Sequence, residues 1–185
     1  MNLLNKIIFL KNKKHLNNLY SKALESKEEF KNFLIQHRPS NANLIMRNSL
    51  KSIHRVCEKI RGGNSPHNIF DVNGATYIFT SIEDLLKAKD YFAEMDCVVR
   101  IKDRISSPTK LGYRDILINV KLSNNFVAEV LLIPHTIFDV KMGEGHKLYE
   151  KTRSSLIKFF PKKKKVLEDL QRKLYNEAWL SFLKN

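Results

Sequence analysis

Cysteine is nearly absent from the chain. Cys57 and Cys97 are the two present, and they lie too far apart in sequence to match a metal-ligand spacing. A disulfide framework is thereby excluded; buried free thiols in a reducing compartment are the simplest account, with a single Cys57–Cys97 bridge as the alternative. No apolar run approaches the roughly 20 residues that cross a bilayer, so a soluble protein without a membrane span is expected. The opening MNLLNKIIFL resembles the start of a signal peptide. Lys11, Lys13 and Lys14 interrupt it, however, and no small-residue cleavage site follows, which makes it an amphipathic helix. There is no internal repeat and no low-complexity tract. Acidic residues are scarce as well: 19 Asp and Glu stand against 33 Lys and Arg, a formal net charge of +14. Such an excess attracts polyanions, whether nucleic acid, nucleotides or an anionic membrane surface. The competing account is an ordinary solvated surface in a chain crowded with Asn, Lys and Ile through coding-base composition.

What is present suits one folded domain: 185 residues, 43% hydrophobic and 10% aromatic. Leu3, Leu4, Ile7, Ile8, Leu16, Leu19, Tyr20, Phe30, Phe33 and Leu34 recur at helical spacing, and Pro39 with its Ser and Asn neighbours stops the pattern. A further helix is expected over 42–60, ended by Gly62 and Gly63. Strands are expected over 69–80 and 97–105, with a helix between them capped by Ser81. Residues 115–122 alternate Asp, Leu, Asn and Lys with Ile116, Ile118, Val120 and Leu122, as a half-buried strand does. The turn Ser123-Asn124-Asn125 returns 126–133 as its antiparallel partner. Pro134 ends that strand, a helix weakened by Gly143 and Gly145 follows over 135–157, and Pro161 with four lysines precedes a last helix over 166–183. The order predicts an α+β fold with a mixed or antiparallel central sheet of about four or five strands flanked by helices. The expected parts are a helical extension at 1–38, a central domain at 39–160 and a C-terminal amphipathic helix at 161–185.

Several residues fit no core. Glu129 stands among Val127, Leu131 and Ile133 on one face of a strand whose other face is also apolar. A bare carboxylate there costs several kcal/mol unless a cation, hydrogen bonds or a metal compensates it. Asp71 opens an earlier strand and is followed by Asn73 and Gly74, which suits either a turn or a carboxylate at the sheet end. Two carboxylates on neighbouring strands can hold one Mg²⁺, the arrangement phosphoryl and nucleotidyl transfer uses. Tyr113, after Gly112, reads as a solvent-facing ring able to stack on a base, with Arg114, Lys102, Arg104 and Lys110 near to neutralise phosphates. An amphipathic Tyr over the sheet edge is the plainer account. Lys51, Arg55 and Lys59 fall at spacings of four, a row of like charges that a phosphate would relieve, and Ser52 lies among them. A second site-like stretch runs from Gly143 to Glu150 and brings His146 and Tyr149 forward.

Taken together these residues resemble the synthetase domain of the RelA/SpoT family, whose nucleotidyltransferase-like fold makes alarmone nucleotides. The family's S-I-x-R-K element is similar to Ser52-Ile53-His54-Arg55, and D-L-x-G-I-R-I to the stretch from Asp71 to Tyr77. Its K-D-Y-I through G-Y-R-S-L-H matches Lys102-Asp103-Arg104-Ile105 through Gly112-Tyr113-Arg114-Asp115, and E-I-Q-I-R-T matches the run from Glu129 to Pro134. His146 and Tyr149 answer to the His and Tyr of the following helix. Order and spacing agree over roughly 49–150. The resemblance implies that Asp71 and Glu129 hold Mg²⁺, that Tyr113, beside Arg114, stacks on the acceptor base, and that Ser52, Arg55 and their neighbours face the phosphates of ATP. Thr76, Leu117, Leu131 and Ile133 replace the family's Arg, His, Gln and Arg. The chain carries no H-D pair of the hydrolase domain of long members, so it reads as a divergent stand-alone domain.

Two functions follow. One is Mg²⁺-dependent transfer of pyrophosphate from ATP to a ribose 3′-hydroxyl of a purine nucleotide or of an RNA such as tRNA, with Lys51, Lys59, Lys102 and His146 among the binding residues. The other is a catalytically degenerate domain that binds nucleotide, RNA or a protein partner. The expected location is cytoplasmic, with secretion as a toxin or effector the alternative, and no oligomeric state is implied.

Overall fold

Apolar residues at every third or fourth position turn the N-terminal stretch into three helices, α1 (Leu3–Lys11), α2 (Lys13–Glu25) and α3 (Lys27–Gln36). The computed structural model describes residues 2–153, 157 and 159–184. After α3 the chain forms β1 (Ala42–Met46), α4 (Ile53–Arg61), a 3₁₀ turn (Pro66–Asn68), β2 (Gly74–Phe79), α5 (Ile82–Ala93), β3 (Val98–Asp103), β4 (Ile116–Lys121) and β5 (Val127–Pro134). It ends in α6 (His135–Met142), α7 (Glu144–Arg153) and α8 (Pro161–Phe182). Among the described residues, no helix is long and apolar enough to cross a membrane.

The five strands form one mixed sheet in the order β1-β2-β5-β4-β3. Among the described residues its one parallel pair is β2 with β5, where β5 returns into the sheet between β2 and β4. This is the expected α+β architecture with a sheet flanked by helices. The β4–β5 hairpin turns at Asn125, which takes the left-handed φ of 62° that Asn tolerates better than most residues. Tyr77 and Phe79 of β2, Ile116, Ile118 and Val120 of β4, and Ala128, Val130 and Leu132 of β5 form one buried face. Leu16 and Ala23 of α2, Phe30 and Leu34 of α3, and Leu85, Ala88 and Phe92 of α5 complete this core. The Tyr77 hydroxyl is satisfied inside it by the Leu34 carbonyl, 2.5 Å away. The opposite face carries a smaller cluster, Ile133, Ile137 and Tyr175 with Tyr113, Phe138 and Trp179, under α6 and α8.

Four expectations are corrected. Residues 42–46 are not the start of a helix but the edge strand β1, paired antiparallel with β2 from Ala42↔Phe79 to Met46↔Ala75. A short apolar run is ambiguous by itself, and the free edge of β2 decides it. The helix begins only at Ile53, with the Ser52 side chain accepting from Arg55 N as the N-cap. Lys51 therefore precedes α4, and no row of Lys51, Arg55 and Lys59 forms on one helical face. The strand expected from residue 69 begins at Gly74, after the 3₁₀ turn. The helix expected over 135–157 breaks at Gly143 into α6 and α7, and its stretch 154–156 lies outside the described residues. Finally, α8 starts at Pro161, not at residue 166. Proline suits the first helical turn because its missing N–H would have no partner there, so the four lysines lie inside the helix. Both cysteines are free thiols, Cys57 buried and Cys97 half-buried.

Candidate active site

The face of the sheet opposite the main core carries Gly74, Thr76, Glu129, Leu131, Leu117 and Asn119, in register across β2, β5 and β4. Over part of it lies a cavity of about 520 Å³. Its walls include Lys59, Asp71, Arg104, Tyr113, Asp115, Glu129 and Lys141, with Leu117 and Leu131 as floor, and α7 and α8 close it with His146, Tyr149, Gln171 and Tyr175.

Asp71 sits just before β2 and is buried. Arg47 holds its carbonyl at 2.9 Å, and the ammonium groups of Lys51 and Lys59 both reach its Oδ2. Its Oδ1 is buried with no hydrogen-bond partner. Burial by itself raises the Asp71 carboxyl, but the two lysines outweigh it and hold the group below its ordinary value, so it is ionised near neutrality. Burial lowers the Lys51 ammonium in turn, and Asp71 opposes that.

Glu129 lies mid-strand on β5, opposite Gly74 on one side and Asn119 on the other. Gly74 suits the close approach of β2 and β5: a Cβ there would lie 3.1 Å from the Glu129 carbonyl oxygen, which would have to give way by a few tenths of an ångström. Burial, and then the charge of Asp71, push the Glu129 carboxyl above its ordinary value, while Lys59, Lys51 and Lys141 pull it down. No hydrogen bond or ion pair to its carboxylate is found among the described residues; the charges around it act through space. The two carboxylates thus share one end of the cavity, each with an oxygen to offer.

Tyr113 is half-buried, not solvent-facing. Its hydroxyl donates to Asp115 Oδ2 at 2.7 Å, and its ring meets Tyr175 edge-on at 5.4 Å. Arg104 and Lys141 each place their charge 5.6 Å from the ring centroid. Asp115 is fully buried and also accepts from Arg104, whose Nη2 lies 2.8 Å from Oδ2. The polar face of β4 is therefore interior at Asp115 and Asn119, both buried, and is exposed to solvent only at Lys121.

The remaining sequence candidates divide. Lys59 and His146 line the cavity, and Lys51 stands behind Asp71. His146 is exposed at the rim, 3.4 Å from Glu150. Arg114 faces α8 instead: it donates to the Gly112 carbonyl and to Asn176 Oδ1 and lies 5.2 Å over Trp179. Arg55 pairs with Glu58 and Glu150, Ser52 serves as the cap, and Lys102 is exposed on β3; none of the three lines the cavity. Lys141, Asp115, Gln171 and Tyr175 were not candidates from sequence. Gln171 and Tyr175, four apart on α8 and both buried, carry a weak signal of a facing site. A lysine among so many carries none.

Gly112 joins this site to α8. Its φ is +80°, and a Cβ would lie 3.0 Å from Asn176 Oδ1 and 3.2 Å from the Arg172 carbonyl. Gly112→Ala is expected to cost about 2 kcal/mol, from the left-handed backbone plus displacement of α8. Urea denaturation checks this, and an unchanged midpoint would refute it.

The donor set suits a hard divalent cation better than zinc. Among the described residues, no three His, Cys, Asp or Glu side chains cluster to hold a metal. Two carboxylates, one with an orphaned buried oxygen, fit Mg²⁺, which takes one or two carboxylates and fills its shell with water and phosphate oxygens.

No protein-family model and no curated protein matches the sequence. Solved structures do match over nearly the whole chain. Small alarmone synthetase 2 from Bacillus subtilis is 21% identical with a TM-score of 0.58, and 95% of each chain is covered. The type VI effector Tas1, solved in complex with its immunity protein, is 16% identical with a TM-score of 0.66 over 89% of this chain and 96% of that one. Small alarmone synthetase 1 from Bacillus subtilis, solved with its product pppGpp, is 14% identical with a TM-score of 0.57 over 97% and 94%. With TM-scores of 0.57 to 0.66 over nearly the whole of each chain, the chain has the RelA/SpoT-type fold of the small alarmone synthetases.

Proposed function

We propose that the protein transfers the pyrophosphate group of ATP to a ribose 3′-hydroxyl of a purine nucleotide or of the 3′ end of an RNA such as tRNA. The observation that carries this reading is the convergence of two carboxylates with free oxygens, Asp71 and Glu129, on a cavity that also holds Lys59, Arg104, Lys141 and Tyr113. Asp71 and Glu129 would hold Mg²⁺, which supplies charge neutralisation to the polyphosphate. The acceptor's 3′-oxygen bonds to the β-phosphorus, the bond from that phosphorus to the α,β-bridging oxygen breaks, and AMP leaves with the electron pair. The hydroxyl proton passes to water at the rim, where His146 and Tyr149 are exposed. Tyr113, fixed by Asp115, offers its ring to the acceptor base, and Lys59 with Lys51 behind it faces phosphate. Arg114 acts through the Gly112 loop that it ties to α8. In-line transfer of this kind rests on positioning and electrostatics more than on covalent chemistry.

Labelled ATP incubated with GDP, GTP, AMP and deacylated tRNA tests the reading, with Glu129→Gln as the control. Product from wild type alone supports it; no product from any acceptor removes it.

Two observations favour the second reading, a non-catalytic binding module. Leu117 and Leu131 floor the cavity where polar clamps are expected, and Asp71 Oδ2 is already taken by two lysines. For RNA, the lysines at 162–165 are the natural contact, because like charge at the N-terminal end of α8 is unfavourable until a polyanion meets it. Replacing all four with Gln should weaken RNA binding and lower the slope of log K against log salt by up to about 3. An unchanged slope would place the contacts elsewhere.

A further inference from the structure

The cations around the cavity are not equivalent. Lys59 is committed to Asp71, together with Lys51, and Arg104 is committed to Asp115. His146 stands beside Glu150 at the rim. Lys141, brought in by α6, lines the same cavity, yet among the described residues no carboxylate lies within ion-pairing distance of its ammonium. Its Nζ lies 5.6 Å from the centroid of the Tyr113 ring. Glu129 is its mirror image, a cavity carboxylate without an ion pair among the described residues. The two feel each other's charge but do not join. Burial lowers the Lys141 ammonium, with Asp115 and Glu129 opposing and Arg104 and Arg47 adding to the fall. An unpaired cation at such a place is costly unless a ligand anion completes it.

We propose that Lys141 is a phosphoryl-oxygen ligand, which holds a polyphosphate against the Asp71–Glu129 end of the cavity. A ligand carrying phosphate oxygens and a divalent cation satisfies both unpaired groups at once: the cation on the carboxylates, an oxygen on the ammonium. Lys141 thereby supplies from a helix the positive charge that the sheet face does not, since Thr76, Leu117, Leu131 and Ile133 are neutral there. The inference rests on the cavity taking a polyphosphate as proposed above, but it does not require turnover.

The test is calorimetric binding of inorganic pyrophosphate, in excess Mg²⁺, to wild type, Lys141→Met, Lys141→Gln and Lys141→Arg. Lys147→Met serves as the control, a lysine on α7 that is exposed and paired with Glu144. Removing the ammonium should weaken binding about tenfold or more, the usual contribution of a charge-assisted hydrogen bond. Arginine should restore most of it, and Lys147→Met should bind as wild type does. Thermal denaturation confirms that each variant is folded, and the Met and Gln forms provide two neutral replacements should one fail. Equal affinity in wild type and a folded neutral variant overturns the proposal, as does a wild type that binds no pyrophosphate. Binding that depends on Lys141 in a protein that forms no transfer product upholds this subsite and removes the enzyme reading. Product formation that is indifferent to Lys141 does the reverse.

Discussion

Glu129→Gln is expected to abolish the proposed Mg²⁺-dependent transfer, lowering kcat by about three orders of magnitude, while leaving the folded protein at least as stable as wild type. The loss follows from the proposed role: a neutral amide cannot share the divalent cation with Asp71, and a bound metal's contribution to transition-state charge is several kcal/mol, at about 1.4 kcal/mol per tenfold in rate. The stability half follows from geometry. Glu129 has no hydrogen bond or ion pair among the described residues, and burial with the Asp71 charge already disfavours its ionised form. An isosteric amide removes that cost and leaves the β5 pairing with Gly74 and Asn119 untouched. Transfer assays run beside thermal denaturation separate the two halves. Retained activity would end the metal role of Glu129, and a large loss of stability would reveal a structural ion pair.

Asp115→Asn is expected to destabilise the protein by about 3 to 5 kcal/mol, the penalty for stranding a buried charge. Asp115 is fully buried, and it alone receives both the Arg104 guanidinium and the Tyr113 hydroxyl. The Arg104 side chain is largely buried too, so water replaces little of the lost partner. The double variant Asp115→Leu with Arg104→Leu should recover much of the loss, because the stranded charge is removed along with its partner. Urea unfolding of the two single variants and the double variant measures the coupling. A change in Asp115→Asn below about 0.5 kcal/mol, the ordinary range of surface substitutions, would mean that the pair does not hold the loop.

The candidate site was legible in sequence to the extent that its residues break a pattern. Glu129 interrupts an apolar strand and Asp71 precedes one, so both could be singled out, and the structure brings them to one cavity. Lys141 breaks nothing, being one basic residue on a helix, and only the packing of α6 against the sheet face gives it meaning. Arg114 was a fair candidate beside Tyr113, yet in the loop before β4 the two side chains go different ways, one to the cavity and the other to Trp179. Asp115 looked like the polar side of a half-exposed strand because nothing local shows that α6, α7 and α8 cover that side.

Local chemistry alone determined the helical stripes, the Ser81 cap, the hairpin at Asn125 and the two marked carboxylates. These depend on periodicity, turn preference and the cost of burying charge, all of which act between near neighbours in sequence. The tertiary structure decided that 42–46 pair as an edge strand, that Lys51 and Lys59 close on one oxygen of Asp71, and that Lys141 and Glu129 face the same space with no ion pair among the described residues. Each of these joins residues far apart in the chain, where pairing register and helix packing set the distances and no spacing in the sequence encodes them.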